Sequence, residues 1–347
     1  MKVSVVIPTY NDAGTIAAAV ESALAQRFDL EFEVIVVVDG STDGTRGVLE
    51  RFGDRIRVID QNRRGVAGAR NTGIRAATAE YIALLDADDT WTEDKLAKTV
   101  PVLDQNPASV AVFSDAWLKE EPGRFQLPSY VSAGYDHSPT LDELLTPVSW
   151  PILPTTIVVR RETMLSIGGF SEEFAATDYG CEDTFALLLM RECGEITFVP
   201  EKLAWYRMPW WEVKLIKRTA QPTSNRGRIS SRALEDPYEC FRANRVLSRL
   251  TLERFGARGR RFARYAMDGA AHELAMMGMK AMHEGDRAYA RKCYVASLRH
   301  GLLGLKTWFR LGWAILPCAV SQRISPVLPP GLRRSLSGPP FLEERTQ

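Results

Sequence analysis

The sequence lacks the features that would place the chain in an oxidising compartment or inside a bilayer. Its five cysteines are odd in number and no two have the CxxC spacing, which argues against a zinc site and against a secreted disulfide framework. The longest apolar stretch near the C-terminus, residues 311–320, is much shorter than the roughly 20 residues that cross a membrane. No export signal precedes the first strand pattern. We therefore expect a cytoplasmic protein.

The sequence also has almost no net charge, +1 at pH 7, but the charge is unevenly distributed. Residues 1–215 contain 20 Lys and Arg against 33 Asp and Glu, whereas residues 216–347 contain 24 against 10. A basic C-terminal third favours an anionic partner or surface, unless these charges only solvate helix faces. Nucleic acid is disfavoured because no aromatic-interleaved RNA motif or helix-turn-helix pattern is present. The inner face of the plasma membrane fits better, so we expect a protein that could bind there peripherally.

The composition, 45% hydrophobic and 25% charged, is that of an ordinary globular protein of about two domains. Strand and helix patterns alternate at the start of the chain and predict a mostly parallel sheet covered by helices. The predicted strands there are Val3 to Ile7, Phe32 to Val38, Ile56 to Ile59 and Tyr81 to Leu85. After a linker-like stretch only helical patterns follow. We predict an α/β domain over residues 1–215 and a helical region over 216–347.

Polar and acidic clusters follow three of these predicted strands. They are Pro8-Thr9-Tyr10, the segment Asp39 to Gly44, and Asp86-Ala87-Asp88-Asp89. In an open parallel sheet, ligands bind beyond the carboxyl ends of the strands. Three carboxylates within four residues repel one another unless a cation or donors offset them, and Mg²⁺ or Mn²⁺ prefers such oxygen ligands. This pattern favours a metal–diphosphate site over an exposed acidic turn.

Four segments, taken together, resemble the family 2 glycosyltransferases with the GT-A fold. They are Val3–Asn11, Val36–Thr45, Gly65–Gly73 and Tyr81–Asp89, and they occur in the family's order and spacing. The resemblance covers roughly the first 215 residues. It implies a Rossmann-like sheet and an inverting transferase that uses a nucleotide-diphosphate sugar and a divalent metal, Mn²⁺ or Mg²⁺.

The resemblance also implies roles for individual residues on the donor side. Asp39 would accept a hydrogen bond from the base N–H, which suits uracil, and Arg70 would lie near the diphosphate. Two simpler interpretations stay open: Tyr10 could only pack, and Arg70 could pair with an acid on its own helix. The nucleotide-sugar residues would be Pro8, Thr9, Tyr10, Asp39, Arg70, Asp86 and Ala87, with Asp86 on the ribose; the metal residues would be Asp88 and Asp89.

On the acceptor side, inversion needs one carboxylate that takes the proton of the attacking hydroxyl. Glu182-Asp183 resembles the family's acidic pair at a helix start, with Asp183 as the base and Glu182 as its neighbour toward the acceptor. Gly169 and Phe170 fit the acceptor-side loop. Trp210 could stack on the acceptor or pack between domains. The His that often follows the family's Tyr-Arg pair is absent after Tyr206-Arg207, so metal coordination could rest on Asp88 and the diphosphate alone.

These patterns predict transfer from a UDP-sugar to a glycan or lipid-linked acceptor in cell-envelope polysaccharide synthesis. A nucleotidyltransferase is the first alternative, but it would show a basic, Gly-rich loop after strand one, and Thr9 to Gly14 has no Lys or Arg. A catalytically inactive sugar-nucleotide-binding protein is the second, although all the expected acids are present. Residues 302–316 combine Trp308, Phe309 and Trp313 with two cations, which suits an interfacial helix as well as a bundle core. A homodimer is left open.

Overall fold

A computed structural model of the chain describes residues 1–120, 126–127, 136–146, 152–176, 181–208, 238–283 and 285–300. The described residues divide between two compact units, one formed by those up to residue 208 and the other by those from residue 238 to 300. The predicted domain boundary at residues 215 and 216 remains a prediction.

A nine-stranded sheet forms the centre of the first unit, in the order β3-β2-β1-β4-β8-β6-β9-β5, with β7 paired to β6. Its first four strands are parallel, as the alternating pattern predicts, and further strands join antiparallel, so the complete sheet is mixed. The strands are β1 Val3–Thr9, β2 Phe32–Asp39, β3 Arg57–Gln61, β4 Tyr81–Leu84, β5 Thr90–Trp91, β6 Ser109–Glu120, β7 Gln126–Leu127, β8 Ile157–Arg160 and β9 Glu195–Met208.

Helices cover this sheet and connect its strands. Every residue of β1 is buried, and Ile16 and Val20 of the first helix pack against it in one core. A strand buried on both faces reads as a continuous apolar run, which is why the first strands could be predicted. The helices of this unit are α1 Ile16–Leu24, α2 Thr45–Glu50, α3 Gly65–Ala76, α4 Lys95–Gln105, α5 Leu141–Leu144, α6 Arg161–Ser166 and α7 Glu182–Cys193.

The second unit is helical in its described residues, with α8 Tyr238–His283 and α9 Arg287–His300. Gly256 has φ 53° and ψ −127°, which divides α8 into two helical parts at a kink. The helices pack closely, because a Cβ on Gly278 would lie 2.7 Å from the ring of the buried Tyr294. Ser297 Oγ donates to Ala271 O at 2.6 Å. The predicted helix over residues 302–316 lies outside the described residues.

A glycine and an aspartate separate α8 from α9. Gly285 has φ 83°, and the next residue, Asp286, accepts a hydrogen bond from the backbone N–H of Tyr289 at 2.9 Å. A left-handed glycine followed by an Asp cap ends one helix and begins another. Among the helices of the described residues, none combines the length and apolarity that a bilayer crossing requires.

Candidate active site

The carboxyl ends of β1, β2 and β4 bring the three predicted clusters to one edge of the sheet. Thr9 pairs in register with Val38 of β2, and Val6 pairs with Leu84 of β4. Thr9 and Asp39 are 3% and 2% exposed, whereas Asp86 and Asp88 keep part of their surface exposed. Pro8 and Ala87 are both buried, and Ala87 belongs to the main core.

Short polar side chains tie the loop after β1 to the loop after β2. Asp12 Oδ2 accepts from Thr9 Oγ1 and from the Tyr10 backbone N–H, both at 3.0 Å, and the Asp12 N–H donates to Thr45 Oγ1 at 2.9 Å. Asn11 adopts φ 57°, and its side-chain oxygen accepts from the Thr42 N–H at 2.8 Å. These hydrogen bonds fix the two loops to each other. No sequence pattern marked Asp12 for this role.

Asp39, the predicted base-binding carboxylate, is held by the loop that joins β3 to α3. Its Oδ1 accepts from Gln61 Nε2 and from the Arg64 backbone N–H, each at 2.7 Å. In the same loop the Arg63 guanidinium carbon lies 3.5 Å from the centroid of the Tyr10 ring. Tyr10 therefore makes a cation–π contact at the rim of the predicted pocket. Whether Tyr10 and Asp39 bind a nucleotide stays a prediction.

Arg70 on α3 joins two of the predicted motifs. Its Nη2 donates to Asp86 Oδ1 and its Nη1 to Glu182 Oε1, both at 2.7 Å. These acids lie on other elements, so Arg70 does not pair within its own helix. The side chain is buried, and the two carboxylates raise the pKa of Arg70 against the opposing effect of desolvation. Because both Nη groups are engaged, the geometry favours Arg70 as an organiser of the acids; its predicted place near a diphosphate is untested.

Glu182 and Asp183 begin α7 directly after Cys181, which has φ 93°. Such a backbone conformation is strained for a residue other than glycine, and strain of this kind clusters at functional sites. Glu182 is 4% exposed, held by Arg70 through Oε1, while its buried Oε2 has no hydrogen-bond partner in the described structure. Glu182 is therefore fixed in position with one oxygen uncompensated.

Asp183 keeps part of its surface exposed and accepts a 2.6 Å hydrogen bond from the Thr184 N–H. Loss of hydration and the neighbouring Glu182 carboxylate raise the pKa of Asp183 to about 7, while Arg70 opposes the rise. A carboxylate with a pKa near the working pH is suited to general-base chemistry.

The two predicted metal residues occupy different environments. Asp89 is 1% exposed and its Oδ1 accepts from the Arg207 backbone N–H of β9 at 2.8 Å, whereas Asp88 is partly exposed. Within the described residues, no group of three or more His, Cys, Asp or Glu side chains could hold a metal. Mg²⁺ commonly takes one or two protein carboxylates and completes its shell with phosphates and water. The partly exposed Asp88 could serve as the single protein ligand of such a metal, and its metal-binding role stays a prediction.

The predicted acceptor loop packs against α3. Asn71 bonds the backbone of Phe170 in both directions, with Nδ2 to Phe170 O and Phe170 N–H to Oδ1 at 2.8 Å. Gly169 has φ 76°, and a Cβ there would lie 2.3 Å from Asn71 Oδ1. The Phe170 ring is 2% exposed, with its centroid 5.1 Å from the Arg70 guanidinium carbon. This burial does not favour sugar stacking by Phe170. Trp210 lies outside the described residues.

An ion pair continues from this loop to the base-binding region. Arg64, whose backbone contacts Asp39, places its Nη2 2.8 and 2.7 Å from the two carboxylate oxygens of Glu172, and Asn71 Nδ2 reaches the same carboxylate at 3.2 Å. No sequence pattern identified Gln61, Arg64, Asn71 or Glu172 as site residues. Asn71 lies inside the Gly65–Gly73 segment and Glu172 just after Phe170, so their positions beside named motifs were the available signal.

Comparison with known proteins agrees with this geometry. The family model for Glycosyl transferase family 2 matches residues 4–162. Glycosyltransferase GlyG of Streptococcus pneumoniae is 30% identical over 220 residues, which are 59% of this chain and 70% of GlyG. The chain therefore belongs to glycosyl transferase family 2.

Other relatives are matched over smaller shares of their length. Succinoglycan biosynthesis protein ExoO of Rhizobium meliloti is 38% identical over 148 residues, covering 38% of this chain and 42% of ExoO. The Escherichia coli UDP-Glc:alpha-D-GlcNAc-diphosphoundecaprenol beta-1,3-glucosyltransferase WfgD is 38% identical over 109 residues, covering 31% of this chain and 43% of WfgD. The chain thus spans less than half the length of these two relatives.

A solved structure supports the fold. The crystal structure of S. aureus TarS 1-349 in complex with UDP-GlcNAc aligns with a TM-score of 0.57 at 18% identity, covering 97% of this chain and 90% of that one. The predicted GT-A fold, an α/β sheet with flanking helices followed by a helical C-terminal region, is confirmed.

Proposed function

We propose that the protein transfers a sugar, with inversion, from a nucleotide-diphosphate sugar to a hydroxyl group of a glycan or lipid-linked acceptor. The observation that carries this proposal is the Arg70 network, which joins Asp86, just after β4, to Glu182, the neighbour of Asp183, whose pKa is raised to about 7. Residues that are 16 and 112 positions from Arg70 converge on one guanidinium. An exposed acidic turn would not require this convergence.

A UDP-sugar is the donor that we favour. Gln61 Nε2 and the Arg64 backbone N–H donate hydrogen bonds to Oδ1 of Asp39 and fix its carboxylate. A carboxylate fixed in this way is suited to accept a hydrogen bond from the N–H of uracil. Tyr10 offers an aromatic ring at the same rim, and Asp86 would accept from the ribose hydroxyls. The relative WfgD bears a name that specifies UDP-Glc as donor, which supports the same choice.

In the proposed reaction Asp183 takes the proton of the acceptor hydroxyl. The new bond forms between that oxygen and the anomeric carbon while the bond from the anomeric carbon to the diphosphate oxygen breaks on the opposite face. Glu182 is bound by Arg70, so we assign it to raising the pKa of Asp183 and to orienting the acceptor. Asp88 would hold the divalent cation, which offsets the charge of the leaving diphosphate. Asp89 fixes the turn Asp86–Asp89, which we call the acid turn, to β9.

The biological setting that we propose is cell-envelope polysaccharide synthesis. ExoO is named for succinoglycan biosynthesis, and a further relative, TuaG of Bacillus subtilis, is named as a putative teichuronic acid biosynthesis glycosyltransferase and is 43% identical over 100 residues. A helical region over residues 216–347 that binds the inner membrane surface would place the protein beside lipid-linked acceptors. Association with membrane and self-association both belong to the proposal.

The proposed function is tested with a panel of donors. UDP-glucose, UDP-N-acetylglucosamine, UDP-galactose and GDP-mannose are each added with Mn²⁺ or with EDTA, and thermal shift and nucleotide release are measured. We expect a UDP-sugar to stabilise the protein and to be turned over only with metal. Asp88→Asn should lose most turnover without a lower melting temperature, while Asp29→Asn, at the opposite edge of the sheet, should behave as wild type. Stabilisation by nucleoside triphosphates alone would instead favour the nucleotidyltransferase.

A further inference from the structure

Two tryptophans stack on each other across neighbouring strands of the sheet. Trp117 of β6 pairs in register with Trp205 of β9, and the ring centroids are 4.5 Å apart with an interplanar angle of 16°. Thr90 of β5 pairs with Trp205 on its other side. Because directly paired residues project from the same face of a sheet, these three side chains form one row.

This row lies on the face of the sheet that is opposite the core. The adjacent row, Trp91, Ala204 and Ala116, is at most 5% exposed and belongs to the main core. Side chains alternate between faces along a strand, so Trp117 and Trp205 point the other way. Each of the two indoles keeps part of its surface exposed. The pair is therefore accessible to a ligand rather than sealed in the interior.

The stacked pair also adjoins the candidate active site. Thr90 follows Asp88 and Asp89 directly in the chain, and the backbone N–H of Arg207, two residues beyond Trp205, donates to Asp89 Oδ1. Both β5 and β9 thus connect the indoles to the acid turn within two residues. Lys202 Nζ lies 5.9 Å from the Trp117 ring centroid and adds a hydrogen-bond donor on the same side.

We infer that Trp117 and Trp205 form a platform that binds a hexopyranose ring, an inference that rests on the proposed transferase function. Each indole uses one face in the mutual stack, and its remaining electron-rich face attracts the weakly positive C–H groups on one face of a sugar ring. Thr90 and Lys202 supply polar partners for its hydroxyls. The ring belongs either to the acceptor or to the sugar of the donor, and the two sources share this chemistry.

Steady-state kinetics of Trp205→Ala, Trp117→Ala and Trp205→Phe test the platform. A single aromatic contact corresponds to about a three- to tenfold change in affinity. We expect Trp205→Ala to raise one KM by about that factor. Trp205→Phe should leave the same KM close to its wild-type value. A raised acceptor KM identifies the acceptor ring. A raised KM for the UDP-sugar, with unchanged affinity for UDP, identifies the donor sugar.

The matched control is a second stacked pair on the same two strands. Phe113 and Phe198 are paired in register, with ring centroids 4.9 Å apart, but lie farther from the acid turn. Phe198→Ala removes a cross-strand stack of the same kind and should lower the melting temperature without changing either KM. If Trp205→Ala also lowers only the melting temperature, the indoles serve packing and the inference is wrong.

A binding measurement separates this inference from the proposed function. Tryptophan fluorescence is titrated with the methyl β-glycosides of glucose, galactose and N-acetylglucosamine in the millimolar range. We expect saturable quenching in the wild type that is lost in Trp205→Ala and kept in Phe198→Ala. If no donor is turned over but quenching persists, the transferase proposal fails and the platform stands. Absence of quenching together with unchanged KM values overturns the platform alone.

Discussion

At the scale of single residues, the pH dependence of transfer depends on Asp183. Its folded-state pKa is raised to about 7 by lost hydration and by the charge of Glu182. As the general base it must be ionised, so kcat/KM should fall about tenfold per pH unit below pH 7 and level off above it. Asp183→Asn should reduce kcat by about 10²–10⁴-fold while donor affinity, measured by calorimetry, stays unchanged. A pH profile that is flat from pH 5 to 8 would move the base elsewhere.

The same pKa shift predicts a stability effect of the same substitution. The folded carboxyl binds its proton more tightly than the unfolded one, whose pKa is near 3.9, so its contribution to folding is lost as pH rises from about 4 to about 7. Three pKa units correspond to at most about 4 kcal/mol, and partial exposure of Asp183 reduces this. Asp183→Asn should therefore unfold at higher urea than wild type at pH 8.

A comparison at two pH values checks the origin of the higher stability expected for Asp183→Asn. At pH 4.5 the wild-type carboxyl is mostly protonated in the folded state, so the difference in unfolding free energy between Asp183→Asn and wild type should shrink. Asp29→Asn, at an exposed position three residues before β2, serves as the control for the charge change itself. An equal gain at both pH values would mean that the amide stabilises the fold by another route.

At the scale of elements, Gly168 and Gly169 form a matched pair within the acceptor-side loop. Both have positive φ, 79° and 76°, but a Cβ on Gly168 meets nothing within 4 Å, whereas a Cβ on Gly169 would lie 2.3 Å from Asn71 Oδ1. Gly168→Ala should lower the free energy of unfolding only by the strain of a Cβ at positive φ, about 1–2 kcal/mol. Gly169→Ala should lower the free energy of unfolding further, because Asn71 must also give up its hydrogen bonds to the Phe170 backbone.

Chemical denaturation of the two variants measures this difference, and donor KM reports on the loop's function. Because Asn71 also contacts Glu172, which holds Arg64, the Gly169 variant should weaken donor binding as well as stability. The Gly168 variant should leave donor KM unchanged. Equal losses of stability in both variants would show that Asn71 adapts freely and that the loop is not fixed by α3.

The elements differ in how far the sequence could predict them. Strands β1, β2 and β4 are largely buried, and their apolar runs were sufficient to predict them. Strand β3 lies at the end of the sheet order and has no buried residue, but its β-branched residues still marked it. Strand β5 has two residues and exists because β9, more than 100 residues later, pairs with it, so no local pattern marks it. The motifs located Asp39, Asp86 and Asp183, but the contacts of Arg64 with Glu172 depend on packing between loops that lie 108 residues apart. Such polar pairs have no periodicity to detect.

At the scale of the whole molecule, part of the positive charge of the basic C-terminal region lies on an exposed helix surface. Arg260, Arg261 and Arg264, on the second part of α8, are all exposed. Sequence alone could predict this excess of charge but not its position on a helix surface. Clustered arginines contribute about 1 kcal/mol each near an anionic membrane, and the attraction weakens with salt. The exposed arginines of α8 thus give the proposed membrane association a defined surface to test.

Sedimentation with liposomes containing an anionic phospholipid tests that surface. We expect the wild type to bind at low salt and Arg260→Glu with Arg264→Glu to bind at least tenfold more weakly, without loss of transfer to a soluble acceptor. Arg51→Glu with Arg75→Glu makes the same change in net charge on exposed positions of the first unit and should have a smaller effect. Equal weakening by both double variants would mean that total charge alone governs binding. Failure of the wild type to bind at low salt would leave α8 and α9 as a packing or self-association module, because the attraction predicted from their charge should be strongest under that condition.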